Sequence, residues 1–409
     1  MLATNLRVGA FSAALALLAA TSSGALAQKK YDTGASDTEI KIGNIMPYSG
    51  PASAYGVIGK TEEAYFKKIN AEGGINGRKI NFVSYDDAYS PPKTVEQARK
   101  LVESDEVLIV FNSLGTPPNS AIQKYLNSKK VPQLFVATGA TKWNDPKEFP
   151  WTMGWQPNYQ SESQIYAKYI LKNKPDAKIA VLYQNDDYGK DYLKGFKDGL
   201  GAKAASMIIV EESYEVSQPT IDSNIVKLKS LNADVFFNVT TPKFAAQAIK
   251  KMNEIGWKPL HFLNNVSASI GSVIKPAGME NAQDIISSQY LKDPTDAQWK
   301  DDAGMKAWNE FLDKYYPEAN RADASVMFGY TVAQGLVHVL KASGDNLTRE
   351  NVMKQAASIK DLELGGLLPG IKVNTSATDF APISSVQLIK FKGDTWERFG
   401  EILSGDAGG

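Results

Sequence analysis

The feature that most restricts the fold of this chain is a rhythm in which short apolar runs alternate with amphipathic stretches of helical period, twice over. In the first pass, residues 40–46, 79–85, 107–111 and 133–136 read as strands, with helices over 56–72, 90–103 and 119–128. The run 107–111 is apolar throughout, the mark of a strand buried on both faces. In the second pass, strands at 179–183, 207–210 and 235–238 alternate with helices at 160–171, 188–200, 221–231 and 244–255. Helices follow at 303–316 and 322–342, then strand-like pattern, clearest at 386–391. Two βα runs imply an α/β protein of two doubly wound parallel-sheet lobes, with helices on both faces of each sheet. Ligands bind such sheets beyond the C-terminal ends of the strands, and two facing lobes make a cleft that closes by hinge motion.

The candidate site therefore lies in the segments after strands: residues 47–55, 86–89, 112–118, 137–143, 184–188, 238–241 and 264–267. They are rich in Ser, Thr, Gly, Asn and Tyr, which suits a small polar ligand held between aromatic walls. The same residues are also ordinary turn formers, and composition alone leaves both readings open.

The N-terminus places the chain. One basic residue, Arg7, precedes an apolar run at 8–20, and Ala25-Leu26-Ala27 ends the segment. That order reads as a secretory signal peptide over 1–27, cleaved after Ala27, and the expected location is the periplasm. The apolar run is too short to cross a hydrocarbon core, which needs about twenty residues. Lys and Arg total 45 against 45 Asp and Glu. A neutral chain gives no electrostatic reason to expect nucleic acid or anionic membrane as a partner. Cysteine is absent, so a large apolar core rather than disulfides must supply stability.

Catalysis finds little to work with. There are two histidines. His338 reads as a packed helix residue and His261 opens a short strand. No nucleophile elbow, P-loop or G-x-G-x-x-G fingerprint occurs, and the glycines at 73–77 follow a helix as a turn would. The pairs Asp86-Asp87 and Asp186-Asp187 read as helix caps or solvated acids rather than a metal or catalytic site. No enzyme activity, cofactor or metal is expected, and the protein is expected to be a monomer.

Several of the segments after strands carry a resemblance. Ile42-Gly43, Ser49-Gly50-Pro51, Tyr55-Gly56, residues 69–78 (INAEGGINGR), Tyr85-Asp86-Asp87-Ala88, residues 137–141 (ATGAT) and Asp187-Tyr188-Gly189 resemble, in order, the Leu/Ile/Val-binding protein family. These are type I periplasmic binding proteins of ABC importers. The resemblance implies lobe one at 38–157 with 288–366 and lobe two at 158–287 with 367–409, joined by three crossovers. It also implies a small-molecule ligand and a membrane permease as partner. The family's ligand-carboxylate contacts fall on Ser113, Gly139 and Thr141, with Leu114 adjoining, and its aromatic walls on Tyr55 and Tyr188. The disulfide of some relatives falls on Tyr89 and Asn112.

Two departures set the ligand expectation. The family's glutamate that pairs with an amino acid's ammonium falls on Val266, and an aromatic wall residue falls on Thr240. Burying an ammonium without its partner costs on the order of 3–5 kcal/mol. That is roughly a hundredfold to a few thousandfold in affinity. The expected ligand is a small carboxylate lacking an α-amine, aromatic or branched aliphatic, with Tyr48, Tyr89 and Trp143 either lining the cleft or packed in loops. The alternatives are Leu, Ile, Val or another amino acid, with Asp87, Asp187 or Glu162 as the acid, and, from other classes, a ligand sensor or an enzyme.

Overall fold

Strand β1 (Glu39–Met46) is the strand around which the first half is built: Ile40, Ile42, Ile45 and Met46 are fully buried. The computed structural model describes residues 29–405, so the segment 1–27 lies outside the described residues. With β2 (Lys79–Asp86), β3 (Ile109–Phe111), β4 (Gln133–Val136) and β5 (Thr152–Gly154), β1 forms a parallel sheet ordered β2-β1-β3-β4-β5. Helices α1 (Val57–Ala71), α2 (Pro91–Arg99) and α3 (Thr116–Ser128) connect its strands.

The second sheet starts after α4 (Tyr159–Asn173). It contains β6 (Ile179–Gln184), β7 (Ile208–Tyr214), β8 (Val235–Val239), β9 (Leu260–Leu263) and β10 (Ile286–Gln289), with α5 (Asp187–Leu200), α6 (Asp222–Ser230) and α7 (Pro242–Glu254) between them. The chain then returns to the first sheet's layer as α8 (Ala303–Tyr315) and α9 (Ala324–Ser343). Tyr65 of α1 meets Phe311 of α8 and Tyr330 of α9 edge-on, with ring centroids 5.7 and 5.3 Å apart. After α10 (Arg349–Ala356) it crosses back and adds β11 (Ser385–Lys392) and β12 (Thr395–Ser404). The order is β12-β11-β10-β9-β8-β6-β7. The chain thus passes between the two sheets three times, near residues 155–158, 290–302 and 357–384.

Departures from the expected elements have local causes. Helix α3 starts at Thr116 rather than 119, because Pro117 and Pro118 sit in its first turn, where a missing N–H costs nothing. The hairpin β11–β12 joins β10 antiparallel, so the second sheet is parallel only as far as β10. Strand β5 is three residues long and too short to show a period. His338 is exposed on α9 rather than packed, because it occupies the solvent-facing row of an otherwise apolar helix. His261 is buried with Nε2 3.2 Å from Asn238 Nδ2, and burial pushes its imidazole down to about 3. Asp186 caps α5, accepting from the N–H groups of Tyr188 (3.0 Å) and Gly189 (3.3 Å). Among the described residues no group of three or more His, Cys, Asp and Glu is placed to hold a metal, and no helix is long and apolar enough to cross a membrane.

Candidate ligand cavity

Five helices begin at the wall of one cavity. Tyr55 and Ile58 at the start of α1, Gly115 and Thr116 of α3, Tyr188 of α5, Thr241 before α7, and Ala324 and Ser325 of α9 all line it. The first four follow the C-terminal ends of strands, where a doubly wound sheet leaves its crevice. The cavity measures ≈ 120 Å³. An apolar cavity of about 150 Å³ takes up benzene, so this space suits a single ring or a branched chain.

Aromatic side chains dominate: Tyr55, Tyr89, Tyr159, Tyr188, Tyr290 and Phe328. Four of them are fixed from behind. Asp87 accepts from the Tyr89 N–H (2.8 Å) and Thr94 Oγ1 (2.7 Å), holding Ala88 and Tyr89 in the left-handed region (φ 51° and 60°). Non-glycine residues rarely adopt that region, and here it swings the Tyr89 ring to the cavity. Gly115 must be glycine, because its φ is 99° and a Cβ there would lie 2.4 Å from Tyr89 Cε2. Tyr159, just after the first passage between the sheets, stacks on Tyr192 at 4.4 Å and meets Tyr188 edge-on at 5.4 Å. The Tyr188 hydroxyl donates to the Asn264 side-chain oxygen (2.6 Å), with the amide turned so that its nitrogen reaches the Asn238 and Thr240 carbonyls. Tyr55 donates its hydroxyl to the Val266 carbonyl at 2.9 Å, tying the rim of one sheet to the rim of the other.

The electrostatics come from backbone more than from side chains. A helix N-terminus carries roughly +0.5 of an elementary charge. Asp186 and Asp323 offset this at α5 and α9, whereas α3 and α7 start at the cavity without a side-chain cap. Lys292 lines the cavity, yet its ammonium is committed to Asp302 (2.7 Å) and the Gly365 carbonyl (2.9 Å). Asp293 also lines it, and burial raises its carboxyl above the ordinary range. Under the wall, Glu162 accepts from Tyr166 Oη, Tyr192 Oη and the Asn265 N–H, each at 2.7 Å. Burial still pushes its carboxyl up to about 7.

Of the residues singled out in the sequence, Tyr55, Leu114, Tyr188 and Val266 meet at the cavity wall. Four others stand outside the lining. Ser113 is fully buried, its carbonyl accepting from the Ala137 N–H (2.9 Å) and its Oγ without a partner among the described residues. The Gly139 carbonyl accepts from the Tyr159 N–H (2.8 Å). Thr141 Oγ1 lies 3.0 Å from both Asp191 Oδ2 and Asn158 Oδ1. Thr240 donates its hydroxyl to Asn238 Oδ1 (2.7 Å). Of the aromatic candidates Tyr89 lines the cavity; Tyr48 bonds Ser84 (2.6 Å) and Trp143 is buried against Thr138 (3.1 Å). Asp87 and Glu162 are engaged as above, and Asp187 pairs with Lys142 (2.7 Å).

The sequence reading missed Tyr159, residues 288–293 and the start of α9. One signal was available for the second of these. Strand β10 is buried at every position although it reads Ile-Ser-Ser-Gln, and three polar residues on a fully buried strand call for a polar purpose.

A model of the family described as "Periplasmic binding protein" matches residues 39–395. Among curated proteins, Leu/Ile/Val-binding protein homolog 7 of Brucella abortus is 26% identical over 339 residues, covering 80% of this chain and 82% of its own. Homolog 1 from the same species is 27% identical over 343 residues, covering 82% and 87%. Among solved structures, a branched chain amino acid ABC transporter protein from Thermus thermophilus with bound valine superposes with a TM-score of 0.82 at 15% identity, covering 90% of this chain and 97% of its own. A solute binding protein of an R. palustris ABC transporter in complex with benzoate gives 0.75 at 20% identity, covering 90% and 98%.

Proposed function

The chain belongs to the periplasmic binding protein family, and from that premise we propose that it is the substrate-binding protein of an ABC importer whose ligand is a small carboxylate without an α-amine, aromatic or branched aliphatic. The observation that carries the ligand class is a wall of tyrosines and Val266 beside the starts of α3 and α7, whose first turns hold no acidic residue to offset the helix dipole. Helix N-termini and hydroxyl donors stabilise an anion without a full counter-charge, while the rings enclose the apolar body. In this reading the lobes are 38–157 with 288–366 and 158–287 with 367–409, and a ligand touching both favours closure by its differential affinity. The Tyr55–Val266 bond is one contact that closure would make. The closed form would then dock on a permease, after export to the periplasm through the segment 1–27.

One observation favours a second reading. Asp293 lines the cavity and would pair with an ammonium, which would make the ligand an amino acid, as in the neighbour that binds valine. A thermal-shift screen of residues 28–409 separates the two. The panel holds benzoate, 3-methylbutanoate, 4-methylpentanoate, phenylalanine, leucine, isoleucine and valine. A ligand at a hundred times its Kd adds about 2.7 kcal/mol of stability. Stabilisation by the acids alone supports the proposal; stabilisation by the amino acids alone rejects the ligand class and keeps the binding protein.

A further inference from the structure

Gln289 and Asp293 stand four residues apart where the chain leaves β10, and each has a polar atom that the protein does not satisfy. Gln289 is 7% exposed, lines the cavity, and its Nε2 has no acceptor among the described residues. A buried amide donor without an acceptor is unfavourable. Asp293 Oδ1 accepts both the N–H and the hydroxyl of Thr295, each at 2.8 Å. No donor among the described residues reaches its Oδ2. The neighbouring ammonium of Lys292 is turned away to Asp302 and Gly365. The Gln289 amide nitrogen is closed off from the cavity, so the unused group that the wall presents here is the acceptor Asp293 Oδ2.

We infer that this passage selects the ligand's substituent: Asp293 Oδ2 accepts from a ligand hydroxyl, so hydroxylated carboxylic acids are preferred to unsubstituted ones. This rests on the carboxylate reading above and carries it from class to substituent. A ligand group facing Asp293 must donate. A hydroxyl does so while remaining neutral. A second carboxylate would be repelled by an ionised Asp293. Burial, which raises the Asp293 carboxyl, also favours a neutral partner over one that needs it ionised.

The test is titration calorimetry of residues 28–409 with benzoate, 3-hydroxybenzoate, 4-hydroxybenzoate and leucine. The wild type, Asp293→Ala and Asp293→Asn are compared after their ligand-free melting is checked. In the wild type one hydroxybenzoate should bind about tenfold or more tighter than benzoate, the range of a hydrogen bond to a charged group. In Asp293→Ala the ratio of the two affinities should collapse towards one, whereas Asp293→Asn, which keeps an acceptor, should retain part of it. Should the Ala variant fail to fold, the Asn variant carries the test. Equal affinity for the three acids in the wild type, or a preference that survives Asp293→Ala, overturns the inference and leaves the carboxylate reading standing. If no acid binds, the carboxylate reading falls and takes the inference with it. Leucine binding that disappears in Asp293→Ala assigns Asp293 to an ammonium and overturns the hydroxyl assignment.

Discussion

Replacing Glu162 by Gln should remove one segment of the protein's pH dependence of stability. Glu162 is buried on α4, and burial outweighs its three hydrogen bonds, raising the carboxyl from 4.5 to about 7. A raised carboxyl means the native state holds a proton that the unfolded chain releases first. Its contribution is fully present below pH 4.5 and is lost as pH rises to 7. At about 1.4 kcal/mol per pKa unit, that interval amounts to about 3 kcal/mol. The neutral Gln variant has no such loss, so its stability minus that of the wild type should climb by about 3 kcal/mol between pH 4.5 and 7 and be level on either side. A difference is needed because His261, held near 3, acts in the opposite sense: its contribution is present above about 6.5 and fades as pH falls. Urea unfolding of both ligand-free proteins at half-unit pH steps gives the two curves. A difference that is flat, or that falls with rising pH, refutes the claim that the native protein holds Glu162 protonated below neutrality.

Two further outcomes test the proposed closure, each read by titration with the tightest-binding member of the acid panel. Tyr55→Phe deletes the hydroxyl that reaches the Val266 carbonyl and should weaken binding about fivefold, the worth of about 1 kcal/mol, while unchanged affinity would mean the bond contributes nothing to closure. Gly271→Ala should weaken binding by about tenfold or more, because the Gly271 N–H donates to the Ala322 carbonyl at 2.8 Å and a Cβ there would lie 2.8 Å from Ala322 C and Asp323 N; wild-type affinity would show that this contact is not part of the bound state.

How far the sequence reaches depends on how local the determining contacts are. Most strands of both sheets and most of their helices follow from periods of two and 3.6 within a dozen residues, and those were legible, whereas β5, β10 and β12 were not. Tyr55 and Tyr188 were legible too, because a residue just after a strand in a doubly wound sheet faces the crevice. Tyr159 was not, since its position depends on where the chain first leaves one sheet for the other, and no period marks that point. Phe328 comes from a helix that returns to pack on α1 more than two hundred residues later. The Thr141 hydroxyl has the same lesson in reverse: its partner Asp191 lies fifty positions on, in a helix of the other sheet, so spacing around Thr141 carries no trace of it.

Gln289 and Asp293 lie between these cases. Burial of a strand reading Ile-Ser-Ser-Gln is set by distant packing, but its polar content is visible in the sequence. Of the strand's three polar side chains, Ser288 Oγ accepts from Tyr166 at 3.0 Å, whereas Ser287 Oγ and Gln289 Nε2 have no partner among the described residues. An apolar residue of similar size would avoid that unsatisfied donor. The cavity's specificity is proposed at this passage because Asp293, just after the strand, lines the cavity with one carboxylate oxygen that no donor among the described residues reaches, whereas the loops the sequence pointed to first are better satisfied.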